Sequence, residues 1–306
     1  MPASRHILVS GASGFIGLAL LPALRAAGHH VIPLRRTPSA SPAPGEASWD
    51  IEQGQVRLQQ VPAPDAVIHL AGESVAQRWT PSSQRRMRSS RCEGTRVLSA
   101  ALARLSQPPR VLLCASAIGY YGDRGADWID ETCGRGQGFL AELVEDWEAG
   151  AQAAREAGLR VVQLRLGIVL DRAGGALARM LPVFRLGLAG RLGDGQQYWS
   201  WITRFDAVRA LMHALDCAAL DGPVNLVAPH PVRNVDFTKA LGAALRRPTC
   251  LTVPRLLIEG VFGQMGQEMF LSSCRVRPAR LLASGFSFHH SELAPALGEL
   301  LGPARS

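Results

Sequence analysis

A strand-like run, His6-Ile7-Leu8-Val9-Ser10, leads straight into Gly11-Ala12-Ser13-Gly14-Phe15-Ile16-Gly17 and then into an apolar helical stretch. Glycines at this spacing permit a tight turn and let the backbone approach a pyrophosphate, while the helix behind them offers unpaired N-terminal N–H groups to the anion. A strand before and a helix after make this a dinucleotide-binding turn. The apolar run over residues 18–24 could instead be read as the core of a secretory signal. A signal needs no regularly spaced glycines, and residues 28–34 read as a helix stop followed by a second strand. The chain therefore opens as β-turn-α-β.

The end of the second strand decides which nicotinamide dinucleotide fits. An acidic residue there would accept the ribose 2′-hydroxyl and repel a 2′-phosphate. This chain has Arg35-Arg36 instead, and no acid until Glu46. The expected cofactor is NADP(H), with Arg36 the better placed of the two for the phosphate. The competing reading is a pair of solvated arginines at a strand end.

Composition narrows the alternatives. With 306 residues, 47% of them hydrophobic, the chain can bury one large or two modest cores. No apolar run is long enough to span a bilayer, so no membrane partner is expected. The six cysteines (Cys92, Cys114, Cys133, Cys217, Cys250, Cys274) show neither CxxC pairing nor metal-ligand spacing, and read as reduced, mostly buried thiols of a cytoplasmic protein without a metal. A net charge of +8 and the cluster Arg85-Arg86-Met87-Arg88-Ser89-Ser90-Arg91 would suit nucleic acid. No aromatic interleaving or nucleic-acid motif accompanies them, so no nucleic-acid partner is expected. The cluster reads as a solvated helix face whose last arginine helps to neutralise cofactor phosphates. Of the 33 basic residues only Lys239 is a lysine, which excludes a Walker P-loop and leaves one residue for any lysine-assisted chemistry.

Further along, residues 66–70 (AVIHL), 110–115 (RVLLCA) and 160–166 (RVVQLRL) read as parallel strands, separated by helical stretches over 94–105 and 139–157. This alternation predicts an α/β fold, a Rossmann-type doubly wound parallel sheet, over residues 1–170. Ligands bind such sheets at the carboxyl ends of the strands, which places candidate residues at Gly11, Arg36, Ala71, Ser116 and Ile168. Residues 171–203, rich in glycine and carrying Tyr198-Trp199-Ser200-Trp201, read as loop and cap. Helices are expected over 206–218 and over 234–246, the latter with Asn234 as N-cap, and a strand over 224–227. The final elements are expected over 276–282 and 291–301. Residues 171–306 would mostly form a smaller C-terminal α/β substrate lobe closing on the nucleotide, with some elements returning to the Rossmann sheet.

The glycine spacing, GxxGxxG, resembles that of extended short-chain dehydrogenases and epimerases. Further segments sharpen the resemblance: Ile68-His69-Leu70-Ala71-Gly72-Glu73-Ser74, Arg78-Trp79-Thr80, Ser90-Arg91 with Gly94-Thr95-Arg96, and Gly119-Tyr120-Tyr121-Gly122. So do Trp199-Ser200-Trp201-Ile202, Asn225-Leu226-Val227-Ala228-Pro229 and Pro231-Val232-Arg233-Asn234. Together they resemble the atypical NAD-dependent epimerase/dehydratase-like family of the bacterial YfcH and human 39U1 type, through nearly the whole chain. The resemblance implies bound NADP(H) contacted by Gly11, Ser13, Gly14, Phe15, Ile16 and Gly17, by Arg35 and Arg36, by Leu70, Ala71 and Gly72, by Arg91, and by Ile168 at the nicotinamide end.

Catalysis in that superfamily rests on a tyrosine whose phenolate is made accessible by a lysine four residues later, with a serine or threonine orienting the substrate oxygen. Lowering a phenol pKa from about 10 requires such a cation. Four residues after Tyr120, Tyr121 and Tyr198 stand Arg124, Gly125 and Ile202, so no Tyr-x-x-x-Lys exists. Where the motif would fall, Phe139-Leu140-Ala141-Glu142-Leu143 keeps the ring and loses the hydroxyl and the ammonium. Counting back from Tyr121-Gly122, the serine position holds Ala117, with Ser116 one place off register. Any chemistry must recruit Tyr121, Tyr120, Ser116, Glu73 or the Glu142/Asp146 pair, and Tyr120-Tyr121 has an equal reading as aromatic packing. Glu73 has a rival reading as a helix-start carboxylate. The leading expectation is an NADP(H)-binding oxidoreductase or nucleoside-diphosphate-sugar-epimerase-like protein acting on an unidentified small polar substrate, as a monomer or homodimer. The alternative is a non-catalytic NADP(H)-binding sensor or scaffold.

Overall fold

Eight strands make the central sheet of the computed structural model, which describes residues 4–36 and 46–302. Their order across the sheet is Gly222–Leu226, Arg160–Leu166, Val111–Ala117, Ala66–His69, His6–Ser10, His30–Arg36, Ala47–Asp50 and Gln55–Arg57. His6–Ser10 pairs in parallel with His30–Arg36 on one side and with Ala66–His69 on the other, so the order reverses at the strand that feeds the glycine turn. Such a reversal opens a crevice at the strand ends, where doubly wound sheets hold ligands. The parallel pairing continues through Val111–Ala117 on one flank and Ala47–Asp50 on the other, and the edge strand Gln55–Arg57 is antiparallel. The expected α/β, doubly wound class is the one observed.

The chain divides into two compact units that interleave. One comprises Met1–Ser116, Leu143–Leu164 and Val208–Val224, the other Ala117–Glu142, Arg165–Ala207 and Asn225–Ser306. The boundary is thus not one cut near residue 170, because the strands after residue 110 carry the chain out of the first unit at their carboxyl ends and return it later. In the first unit Leu8, Leu34, Trp49, Val67, Leu98 and Leu112 pack into a continuous buried core. In the second, Leu170, Leu177, Leu181, Trp201, Phe237, Leu241 and Leu297 form another. Among the described residues no helix is long and apolar enough to cross a membrane.

Several local expectations change. The helix expected over 139–157 is two, Phe139–Ala149 and Gln152–Glu156. It breaks at Gly150, where an added Cβ would sit 3.0 Å from the Cys92 carbonyl oxygen. The stretch after residue 171 contains a helix, Gly175–Arg185, whose buried Leu177, Leu181 and Phe184 recur at helical spacing behind two glycines and around Pro182. Asn234 is the first helical residue and not the cap, since its Oδ1 accepts the Leu192 N–H at 2.8 Å. The segment expected over 276–282 is a two-residue strand, Arg275–Val276, followed after Pro278 by the helix Ala279–Ala283. All six cysteines are free thiols; Cys114 is buried, Cys250 is exposed and the others are half-buried.

Candidate functional site

The glycine turn has little room for any other residue. Gly11 takes φ +68°, and a Cβ on it would lie 2.7 Å from the Leu70 carbonyl carbon and 2.8 Å from the Ala71 nitrogen. A Cβ on Gly17 would lie 2.3 Å from the Gly11 oxygen, so the helix can start only this close to the strand with glycine there. The Gly14 N–H donates to the Gly11 carbonyl at 2.9 Å and closes the turn. Helix Gly17–Ala26 then begins without a side-chain cap or an acidic residue in its first turn. That end suits an anion.

A crevice of about 800 Å³ opens over this turn, lined by Gly11, Ser13 and Gly14, by Arg35 and Arg36, and by Leu70, Ala71 and Gly72. Phe15 and Ile16 complete the turn without lining the crevice. Arg35 lies 3.9 Å from the Glu46 carboxylate, whereas Arg36 lines both the crevice and a second pocket of about 270 Å³ with Asp50, Ile51, Glu73 and Arg86. Asp50 and Ile51 escaped the sequence reading. Asp50 ends a short strand, Ala47–Asp50, that pairs with the second strand and so ends beside it, and Ile51 follows it.

Glu73 accepts hydrogen bonds from Gln77 and from Arg86 Nε, each at 3.2 Å. Those two bonds, with Arg36 adding attraction, hold its carboxyl below the usual range. It is therefore a carboxylate at neutral pH, able to accept a proton and ill suited to donate one.

Beneath the turn runs a buried polar chain that sequence reasoning missed. Ser10 Oγ meets His69 Nδ1 at 2.6 Å, His69 Nε2 meets Thr95 Oγ1 at 3.1 Å, and Trp147 Nε1 donates to the same Thr95 oxygen at 3.0 Å. The Ala71 N–H donates to Ser10 Oγ at 3.3 Å, which ties the chain to the crevice wall. Burial pushes His69 down to about 4, so its imidazole is neutral. The guanidinium of Arg91 stands 5.0 Å over the Trp147 ring and in contact range of Gly72. Burial brings Arg91 down to about 10, which leaves it charged at pH 7, and its Nη1 is buried with no hydrogen-bond partner. A buried, charged donor without an acceptor is costly, and the same guanidinium approaches Gly72, which lines the crevice. The glycine cradle, the open helix end and this orphaned donor fit a dinucleotide.

Ser116, at the end of its strand, donates to Glu148 Oε1 at 2.5 Å. Asp146 pairs with Arg88, and Glu142 is exposed. In the second unit Tyr120 and Tyr121 sit on the short helical turn Ile118–Tyr121. Tyr121 is fully buried; its hydroxyl donates to Asn225 Oδ1 at 2.8 Å and accepts from Arg165 Nη1 at 3.0 Å. Burial pushes this phenol up to about 12, the opposite of activation. The Asn225 N–H in turn donates to buried Glu131 at 2.9 Å, and burial raises that carboxyl above its usual range. Tyr120 is half-buried, with the Arg165 guanidinium 3.6 Å from its ring centroid. Ile168 is half-buried and pairs with Trp201. The N–H groups of Phe139 and Leu140, at the start of the helix where a catalytic tyrosine would stand, are capped by the Glu268 carboxylate at 3.0 and 2.8 Å.

A profile of the NAD dependent epimerase/dehydratase family matches residues 7–226, and a domain of unknown function, DUF1731, matches residues 253–300. The chain is 44% identical over 298 residues to the epimerase family protein MT2273 of Mycobacterium tuberculosis, covering 97% of both. The crystal structure of human epimerase family protein SDR39U1 with NADPH superposes with a TM-score of 0.87 at 36% identity, covering 97% of this chain and 99% of that one. UDP-glucuronic acid 4-epimerase from Bacillus cereus, at 17% identity and a TM-score of 0.75 over 97% of this chain and 98% of its own, shares the fold.

Proposed function

The chain belongs to the NAD dependent epimerase/dehydratase family, and from that premise we propose that it is an NADP(H)-dependent oxidoreductase or sugar-nucleotide-epimerase-like protein acting on a small polar molecule. The observation that carries the proposal is the buried, unpartnered Arg91 Nη1 beside a glycine crevice rimmed by Arg36. The pyrophosphate would lie on the Gly11–Gly14 backbone and the open end of helix Gly17–Ala26, with Arg91 as its counter-charge. Arg36 would take the 2′-phosphate through the paired donors of its guanidinium. Asp50, in the pocket that Arg36 shares, would accept the adenine amino group. The NADPH in the crystal structure of the human relative supports the same choice for this chain.

Bound there, the nicotinamide supplies a hydride donor or acceptor, and the protein must orient the substrate and handle a proton. Among Tyr120, Tyr121, Ser116 and Glu73, we assign the proton to Tyr120. Its phenol is not fully buried, and the Arg165 guanidinium lies over its ring. Tyr121 would hold Arg165 in place, Ser116 would hold Glu148, and Glu73 would hold Arg86.

Titration of the protein with NADPH and with NADH tests the binding half; tighter binding of NADPH is expected, and equal affinities would sink it. A screen for NADPH oxidation over aldehydes, ketones and nucleoside-diphosphate sugars tests the catalytic half. Tyr120→Phe should abolish any turnover found without changing cofactor affinity. The closed Tyr121–Asn225–Glu131 network favours a second reading, an NADP(H)-binding sensor or scaffold without turnover. That reading predicts cofactor binding with no active substrate in the screen.

A further inference from the structure

We infer that His289, His290 and Glu299 form a binding site for one divalent transition-metal ion of the zinc type, within the second unit and apart from the residues assigned to NADP(H). Glu299 Oε2 lies 3.4 Å from His290 Nε2 and 3.6 Å from His289 Nε2, and the three ligand atoms fall within 4.8 Å of one another. Ligands about 2.0–2.1 Å from a tetrahedral zinc stand about 3.3 Å apart. The two separations from Glu299 are close to that edge length. The two imidazole planes cross at 88°, so the rings do not stack on one another.

His290 is 7% exposed, and its Nε2 is buried without a hydrogen-bond partner, although it points at Glu299. The other ring nitrogen is held by Thr203 Oγ1 at 3.2 Å. Donation of the Nδ1 proton to that oxygen leaves the Nε2 lone pair free for a metal, the outer-shell arrangement common to metal-binding histidines. The backbone is fixed as well, because the fully buried Asp206 carboxylate accepts the N–H groups of His289 at 3.0 Å and His290 at 2.7 Å. Two adjacent histidines are thus locked before the final helix, Leu293–Leu301, which carries Glu299.

Two imidazoles and one carboxylate are borderline donors, suited to zinc, cobalt, nickel or copper, whereas calcium and magnesium take oxygen ligands. A bound ion would staple the segment before the final helix to that helix, with its fourth position open to water. The chain stapled in this way would gain stability in proportion to the logarithm of free metal over the dissociation constant.

The test uses the full chain, stripped with a chelator and titrated with zinc sulfate, with bound metal measured after gel filtration and melting followed with and without zinc. One equivalent should bind, and zinc should raise the melting temperature. Glu299→Gln and His289→Ala, both changes at exposed side chains that leave the fold intact, should each weaken binding at least tenfold and abolish the thermal shift. NADPH affinity should stay as in the unaltered protein. Cobalt(II) in place of zinc should give visible bands of a nitrogen/oxygen site without a thiolate charge-transfer band, which separates this site from the exposed Cys250. Absence of stoichiometric binding, equal binding in both variants, or a thiolate band would overturn the assignment.

Discussion

The glycine-turn crevice and the Tyr120-Tyr121 turn are each built on buried polar groups, and they differ in what is left unpaired. In the crevice the backbone at Gly11 and Gly17 is forced into place, the helix end is uncapped, and Arg91 keeps a buried donor without an acceptor. At the tyrosine turn the hydroxyl of Tyr121 has both a donor and an acceptor, and Asn225 and Glu131 complete the circuit. One region leaves polar groups unpaired; the other is satisfied by its own side chains. Cofactor binding and proton transfer, as proposed above, would thus rest on separate sets of residues, and the absence of a Tyr-x-x-x-Lys pair bears only on the second.

The sharpest way to break the comparison is Gly17→Val. Its side chain would begin 2.3 Å from the Gly11 oxygen, so NADPH affinity should fall at least ~100-fold, roughly 2.7 kcal/mol. A fluorescence titration with circular dichroism alongside checks both binding and folding; near-normal affinity would mean that the turn is not the phosphate cradle.

The buried chain under the turn gives the next effect. His69 titrates near 4 in the folded protein and near 6.5 when unfolded, so the unfolded chain takes up the proton first. Stability from this group is complete above about pH 6.5 and is lost as the pH falls toward 4, by about 3 kcal/mol in total. Urea unfolding at pH 7, 5.5 and 4 should show that slope, and His69→Asn should flatten it.

Smaller still is Tyr121→Phe. Removing the hydroxyl takes a donor from Asn225 Oδ1 and an acceptor from Arg165 Nη1 in a buried site, at a cost of roughly 1–3 kcal/mol, with NADPH affinity unchanged. If the variant is as stable as the parent but has lost turnover, Tyr121 is catalytic and the contrast between the two regions fails.

The sequence made the first of these regions legible because its determinants are local. The strand, three glycines and a helix lie within about twenty residues, and Arg35-Arg36 closes the next strand. The second region depends on distant partners: Tyr121 meets Arg165 and Asn225, which are 44 and 104 positions away. Nothing in Gly119-Tyr120-Tyr121-Gly122 says which hydroxyl is buried. The same limit hid the Ser10–His69–Thr95–Trp147 chain, whose members come from four separate elements. Helix Gly175–Arg185 was obscured for another reason, since two glycines and Pro182 suggest a loop while its apolar period is satisfied by a core drawn from other strands and later helices.

The most direct measurement is the pair of dissociation constants for NADPH and NADH, taken in one buffer for the unaltered protein and for Arg36→Ala. The account predicts that Arg36→Ala weakens NADPH about 10–100-fold, the worth of a charge-assisted phosphate contact, and leaves NADH within about twofold. Equal losses for both dinucleotides, or no loss for either, would contradict the assignment of Arg36 to the 2′-phosphate and with it the NADP(H) reading of the crevice.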